Sequence, residues 1–510
     1  MLSMLRGEAL RYAQIFLIVA PSFISFGYNQ SGMGGVVDFP SWVRQFPQLD
    51  TIDTTGTQKS NNSTIQGTVV ASLMLGACAG SLTCMWLGEI LGRRKTIFSG
   101  ACLGLIGQIL ECTSYSLPQL VVGRVLVGAG AGVLSATVPV WQSECSTAER
   151  RGRNVVLTGA FIALGYTLAQ WSNFGLWHVE DEQASWRGSL AIGALFWMVI
   201  MASIFCLPES PYWLLRKNQS ELAQQTLAAL RAKDVSSPEV RLEMLMIESA
   251  IEQTAGKSLA LSDVFRMGED KFLYRFLLCI GLQFMQQMSG GTLISIYIPI
   301  IFQTDLGLPA STAKILAACA MTWKFIACAL SFIIIDRLGR RAAFIISGGG
   351  MSACMIALTV SNSPSFAGEH AASIVSALFI FLYTTFLPVG FLGPIFLYPS
   401  EVAPAQLRVA MQAFAIANQW LWMFIVAMIT PTALDTIGYR YYIVYAVIGG
   451  MIPPTIYFFY PETKNRSLED IDRLFREAPS VLSVVSRSKM SITPTFMLDD
   501  MDKATTQEIE

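Results

Sequence analysis

Twelve stretches of roughly 20 predominantly apolar residues constrain this chain more than any other feature. A helix needs about that length to cross the hydrocarbon core of a bilayer, where no water is present to satisfy exposed backbone groups. The first six stretches lie at 13–30, 66–88, 96–116, 118–141, 154–177 and 188–207, and the second six at 275–302, 311–335, 342–361, 372–398, 409–432 and 440–460. Only 14% of the residues are charged while 53% are hydrophobic. A water-soluble domain carries about 25% charge, so this composition excludes a soluble enzyme. With 35 Lys and Arg against 36 Asp and Glu, nothing favours nucleic acid as a partner. Two histidines and ten cysteines without Cys-x-x-Cys spacing give a metal site nothing to build on, and no cofactor is expected. The expected architecture is an all-α membrane protein of twelve transmembrane helices, with the lipid bilayer as its solvent.

Charge sets the orientation. Arg93-Arg94-Lys95, Arg150-Arg151 with Arg153, and Arg337 with Arg340-Arg341 occupy alternate short loops, whereas 114–118 and 362–371 are poor in cations. The positive-inside tendency then places both termini and every basic loop in the cytosol. Asn61 and Asn62 begin two overlapping glycosylation sequons in the long first loop, on the expected outer side. The polar stretch 208–272 separates the two sets of spans. Its apolar residues recur at helical spacing in Glu221–Arg231 and near 239–252, which predicts a small cytosolic helical domain. The expected division is 1–207 and 273–460 for two six-helix bundles, 208–272 for the domain between them, and 461–510 for a Ser-, Thr- and acid-rich tail expected to be largely disordered.

The halves repeat. Glu89-Ile-Leu-Gly-Arg93-Arg94 returns 247 residues later as Asp336-Arg-Leu-Gly-Arg340-Arg341. Ser143-Glu144 with Arg151 returns 257 residues later as Ser400-Glu401 with Arg408, and Pro208-Glu209 returns 253 residues later as Pro461-Glu462. Landmarks at nearly one offset describe two bundles on one plan, with a substrate site expected between them near the membrane midplane.

These motifs, together with Pro139-Val-Trp-Gln-Ser-Glu144, Pro208-Glu-Ser-Pro-Tyr-Trp213, Gln286-Gln287-Met-Ser-Gly-Gly-Thr292 and Pro461-Glu-Thr-Lys-Asn-Arg-Ser-Leu-Glu469, resemble the sugar-porter branch of the major facilitator superfamily, most closely its fungal members. The resemblance runs from about 15 to 475. It implies two pseudo-symmetric bundles that move a monosaccharide or similar polyol by alternating access, as a plasma-membrane protein working as a monomer. It also implies a cytoplasmic gating network of Glu89, Arg93, Arg94, Glu144, Arg151, Glu209, Asp336, Arg340, Arg341, Glu401, Arg408 and Glu462. Simple retention of positive charge inside is the competing account of those arginines.

Substrate residues implied by the resemblance lie mainly in the second half. Gln286 and Gln287 are costly amides in an apolar helix and match hydroxyl groups, which also donate and accept, although amides serve equally as glue between helices. Trp420, beside Gln419, falls where the family stacks a tryptophan on sugar. Phe396 stands where the family has Trp, and Thr292 where most relatives have Asn; Tyr297 completes the expected wall.

Three departures stand out. Gly159 replaces a substrate-binding Gln of span five. Gly27-Tyr28-Asn29-Gln30 replaces the Gly-Tyr-Asp motif of proton-coupled relatives, whose acid faces an arginine equivalent to Arg124. Asn29 cannot titrate, so facilitated diffusion is expected over symport, and Glu111 is expected to pair with Arg124. Lys324 lies near the middle of span eight. It is expected to be uncharged, to contact backbone carbonyls, or to meet an anionic ligand in a wet cavity. The last possibility extends the cargo to sugar acids, quinate-like acids or fungal secondary metabolites, and a non-transporting sugar sensor is the alternative of another kind.

Overall fold

The structure, a computed structural model, describes residues 5–37, 39–51, 54–146, 148–179, 182–255, 264–268, 270–366, 370–404, 407–464, 466 and 468–488. It is an all-α membrane protein of twelve spans in two six-helix bundles. The first bundle comprises Gly7–Val36, Gly56–Ile90, Arg93–Cys112, Leu117–Cys145, Ala148–Trp177 and Glu182–Ser203. In the second, span seven is Phe272–Met288 followed by Gly291–Ile300, and span ten is His370–Phe391 followed by Pro394–Val402. Ala310–Leu338, Arg340–Ser361, Arg408–Thr436 and Arg440–Phe459 complete it. Among the described residues nine helices are individually long and apolar enough to cross a membrane. Spans three, five and seven fall outside that set. Span three carries charge near both ends, and span seven is interrupted at Ser289-Gly290.

Each helix is sorted by the solvent it meets. Leu103, Ile106 and Ile109 on span three and Val444, Val447 and Met451 on span twelve are exposed apolar stripes at helical spacing, the surface hydrocarbon would cover. Thr96, Gln108 and Glu111 of span three turn inward instead. Small residues allow close helix contact at Gly128 and Gly132 of span four: a Cβ there would lie 1.9 and 2.1 Å from the carbonyl oxygens of Leu73 and Ala77 on span two. Across the two bundles, span one packs on span seven, two on eleven, and five on eight.

An even number of spans brings both chain ends to one face. At that face Pro211–Arg216, Ser220–Arg231 and Pro238–Ala255 fold together over Leu214, Leu215, Leu227 and Val240, all buried. The Ser210 hydroxyl accepts the Trp213 N–H at 3.2 Å and so caps the first of these helices.

Two expectations are corrected here. The tail 461–510, expected to be largely disordered, forms Leu468–Glu477 and Val481–Ser488, while 489–510 lie outside the described residues. Ile471, Leu474 and Phe475 recur at helical spacing and are buried, and Arg275 at the start of span seven pairs with Asp472 and lies 4.2 Å from the Phe475 ring. The tail's average composition hid this single amphipathic turn pattern. The sequons also fall within the helix Gly56–Ile90 rather than in a loop. Asn62 is buried, and its amide donates to the Asp50 carbonyl at 2.6 Å, which removes it as a glycan acceptor. Asn61 is exposed on the same helix.

Candidate functional site

A small pocket lies between the bundles, with room for about one water in this closed arrangement. The interruption of span seven positions its polar floor. Ending one helix at Met288 and starting another at Gly291 turns Gln286, Gln287, Thr292 and Ser295 toward one point. Gln286 is the hub. Its amide N–H₂ donates to the Phe391 carbonyl where span ten breaks, and its oxygen accepts from Gln287 at 3.0 Å and Gln419 at 3.2 Å. Thr292 donates to the Gln287 amide oxygen. The Gln419 amide oxygen is buried without a protein partner, leaving an acceptor at the cavity. These amides link spans seven, ten and eleven and also present groups to a ligand, so the binding and helix-joining roles coexist.

Of the expected wall, Gln286, Gln287, Thr292, Lys324, Phe396 and Gln419 line the cavity. Tyr297 and Trp420 do not. The Tyr297 hydroxyl is committed to the Ala427 carbonyl at 2.8 Å. The Trp420 indole N–H donates to Ser135 on span four at 3.3 Å, with its ring 4.5 Å from that of Phe26. Rotation about the helix axes turns both into the interface between bundles, where Trp420 backs Phe26, itself a lining residue. Gly159 has a positional reason of its own: a Cβ there would lie 2.8 Å from the Gly393 nitrogen. Span five approaches the break in span ten too closely for a glutamine.

The first half contributes residues that the sequence reading missed. Gln30 accepts the Tyr166 hydroxyl at 2.6 Å and directs its own N–H toward the Met423 sulfur at 2.8 Å. Tyr166, Ser295, Ile162 and Met423 also line the cavity. An amide directly after Asn29 in an apolar helix was the available signal for Gln30; nothing local distinguished Tyr166 from a packing aromatic.

The Lys324 ammonium faces this cavity, donating to the Ser295 hydroxyl at 2.7 Å and lying 4.2 Å from the centre of the Tyr166 ring. Asn29 instead folds back on its own helix, donating to the Ser25 carbonyl and hydroxyl, each at 3.0 Å. Arg124 reaches the Asn29 main-chain carbonyl at 3.4 Å and the Val70 carbonyl at 3.0 Å, and lies 4.0 Å from Glu111. All three are buried, and Gln108 donates to the second Glu111 oxygen at 3.2 Å.

The charged motifs at the terminal face form the same arrangement twice. Arg93 grips Glu144 with two bonds of 3.0 and 3.1 Å, and Arg340 meets Glu401 at 3.1 Å. Glu209 accepts the main-chain N–H groups of Arg93 and Arg94, and Glu462 those of Arg340 and Arg341, so the two carboxylates cap the starts of spans three and nine. Gly92 and Gly339 have φ of +89° and +85°, and a Cβ at either would lie within 3 Å of that carboxylate. Trp141 N–H donates to the Pro208 carbonyl at 3.1 Å, and its counterpart Tyr398 donates to the Pro461 carbonyl at 3.0 Å. Burial raises the affinity of Glu209 for a proton, and the N–H bonds it accepts oppose this. Glu89 joins the first cluster by its approach to Arg93 at 4.0 Å and pairs on its other side with Arg216 at 2.6 Å. Arg408 begins the span-eleven helix, half-buried. The side chains of Arg151 and Asp336 lie outside what is described.

Comparison with known proteins gives a consistent result. The profile of the family described as sugar (and other) transporter matches residues 15–475. The chain is 35% identical over 462 residues to the MFS-type transporter oryC of Aspergillus oryzae, covering 90% of this chain and 84% of that one. It is 32% identical to the sugar transporter STL1 of Saccharomyces cerevisiae, covering 93% and 83%. Among solved structures, the proton:xylose symporter XylE superposes with a TM-score of 0.78 at 20% identity, over 92% of this chain and all of that one, which is a likeness of fold.

Proposed function

The chain belongs to the sugar porter family of the major facilitator superfamily, and on that premise we propose that it carries a small polyhydroxylated molecule across the membrane by alternating access. The observation that carries this reading is the amide network around Gln286, set at the break of two helices and open to a cavity between the bundles. Amides that both donate and accept match hydroxyl groups that do the same.

Binding between two rigid bundles couples occupancy to their rocking. Away from the termini the halves are joined by Lys59–Asp435 at 2.9 Å, by Thr64 against Thr432, and by Ser31 donating to the Ser295 carbonyl at 3.0 Å. These bonds cross between halves and must break for that face to open. The Arg93–Glu144 and Arg340–Glu401 clusters lie within one half each and hold its helix ends in register as a gating network at the opposite face. We read the terminal face as cytosolic from its basic loops, the membrane as the plasma membrane, and the single chain as the transporting unit, because one chain supplies the whole cavity.

Transport is facilitated diffusion in this reading. Asn29 stands at the coupling position with its amide satisfied locally, and Glu111 is buried in a structural pair with Arg124. Counterflow in proteoliposomes with neutral sugars and polyols is expected to show saturable exchange, and an imposed pH gradient is expected to produce no accumulation. Uphill uptake driven by the gradient would overturn the uniport reading, and folded protein that exchanges no hydroxylated solute would overturn the carrier reading.

A further inference from the structure

We propose that the cargo is a hydroxylated monocarboxylate, its carboxylate paired with Lys324 and its hydroxyls taken by the surrounding amides; this rests on the cavity being the cargo site. Lys324 is at the midpoint of the helix Ala310–Leu338, and its ammonium is buried in the cavity wall. Its two partners there are neutral. Ser295 accepts from Lys324 while spending its own proton on the Gly291 carbonyl at 2.6 Å, and Tyr166 offers a ring face. Among the described residues no carboxylate is paired with Lys324. The Glu111 carboxylate of the first half faces Arg124 and Gln108 instead.

The rest of the polar lining is uncharged: Gln30, Gln286, Gln287, Thr292 and Gln419. Among the described residues the lining therefore holds one basic group and no acidic one. A buried ammonium without a counter-ion is costly, and a ligand in this cavity would touch it. A neutral hexose leaves that imbalance in place. A carboxylate removes it and gains a charge-assisted hydrogen bond, while the amide hub matches the hydroxyls of the same molecule.

The position of the lysine adds a consequence for transport. Ser295 belongs to the second bundle and Tyr166 to the first, so the ammonium lies at the seam that opens and closes. With the acid bound, the seam closes around a neutral pair; without it, the seam closes around an isolated charge. The loaded carrier then reorients faster than the empty one, and exchange outruns net uptake.

The test uses full-length protein in liposomes with matched pairs that differ chiefly in one acid group: D-glucuronate against D-glucose and D-gluconate against D-glucitol, with quinate as a cyclic acid. At least one acid is expected to exchange at least tenfold faster than the neutral solutes, with exchange at least fivefold faster than uptake into empty vesicles. Lys324→Met is expected to lower the acid-to-neutral ratio at least tenfold, and Lys324→Arg to preserve a preference for the acid. Faster exchange of the neutral solutes in the wild type, or a ratio unmoved by Lys324→Met, overturns the acid assignment and leaves the carrier reading standing. No exchange of either class by monodisperse protein overturns both. Should Lys324→Met fail to fold, the wild-type ratio alone decides.

Discussion

The two bundles are near copies at the terminal face and unlike each other at the membrane centre. At the face, Arg93, Glu144, Glu209 and Trp141 have Arg340, Glu401, Glu462 and Tyr398 as counterparts, with matching hydrogen bonds. At the centre, spans one and four of the first bundle are helical throughout, whereas spans seven and ten of the second are interrupted. The interruptions release backbone carbonyls and turn amides into the cavity, so the second bundle supplies most of the binding chemistry. The first supplies Phe26, Gln30, Ile162 and Tyr166 as a wall, and keeps a buried ion pair, Arg124–Glu111. Applying the offsets of 247 and 257 residues, the positions matching Glu111 and Arg124 are Leu358 and Phe381, both apolar. Repetition has been conserved in physical terms where helix ends need capping, and abandoned where a ligand must be held.

The ion pair offers the strongest way to break this comparison. Glu111→Ala strands a buried guanidinium and is expected to cost about 3–5 kcal/mol, read as a large fall in thermal unfolding temperature. The double change Glu111→Leu with Arg124→Phe installs the second bundle's apolar pair and is expected to recover most of that loss. If it recovers none, the pair does more in the first bundle than fill space.

Gln286→Ala removes the hub from two donors and is expected to weaken ligand binding about 100-fold, on the order of 2–3 kcal/mol for a buried polar network left open. Gln30→Ala, on the opposite wall, is expected to cost about tenfold in the same titration, corresponding to the roughly 1.4 kcal/mol of one ordinary hydrogen bond. Equal losses would refute the asymmetry between bundles. Gly159→Ala places a methyl against the Gly393 backbone and is expected to cost the closed arrangement about 2 kcal/mol by overpacking, seen as roughly 30-fold slower exchange. The smallest effects test the symmetric face. Glu209→Ala and Glu462→Ala each remove one helix cap and are expected to lower stability by about 1 kcal/mol, equally within error in detergent unfolding. A marked inequality would show that the repeated motifs are not energetically equivalent.

Much of this was legible in the residues. Hydrophobic length located the spans, and Arg, Gly and Glu at fixed offsets exposed the repeat, because recurrence at one spacing is visible in the chain itself. Which carboxylate caps which helix start was not, since Glu209 and Glu462 lie more than a hundred residues from the N–H groups they accept. Gln286, Gln287 and Lys324 drew notice because polar groups are costly in hydrocarbon. Tyr166 and Ser295 escaped notice because a tyrosine and a serine are ordinary in any span, and only contact with Lys324 gives them a role. Trp420 and Tyr297 were placed on the wall by resemblance. The sequons were placed in a loop because the helix Gly56–Ile90 begins ten residues before the apolar stretch expected at 66, and the tail was misjudged from composition over a window longer than the helices that form there.

The sequence by itself determined how many helices cross, where the repeat falls and which polar groups lie within the membrane, since each follows from the transfer of local segments between water and lipid. The tertiary structure alone decided which of those groups face the same space. A helix can turn about its axis without changing its hydropathy, and the final angle is set by packing against partners on other helices, some more than a hundred residues away. That packing brings Lys324 to Ser295 and Tyr166, and turns Trp420 toward Ser135.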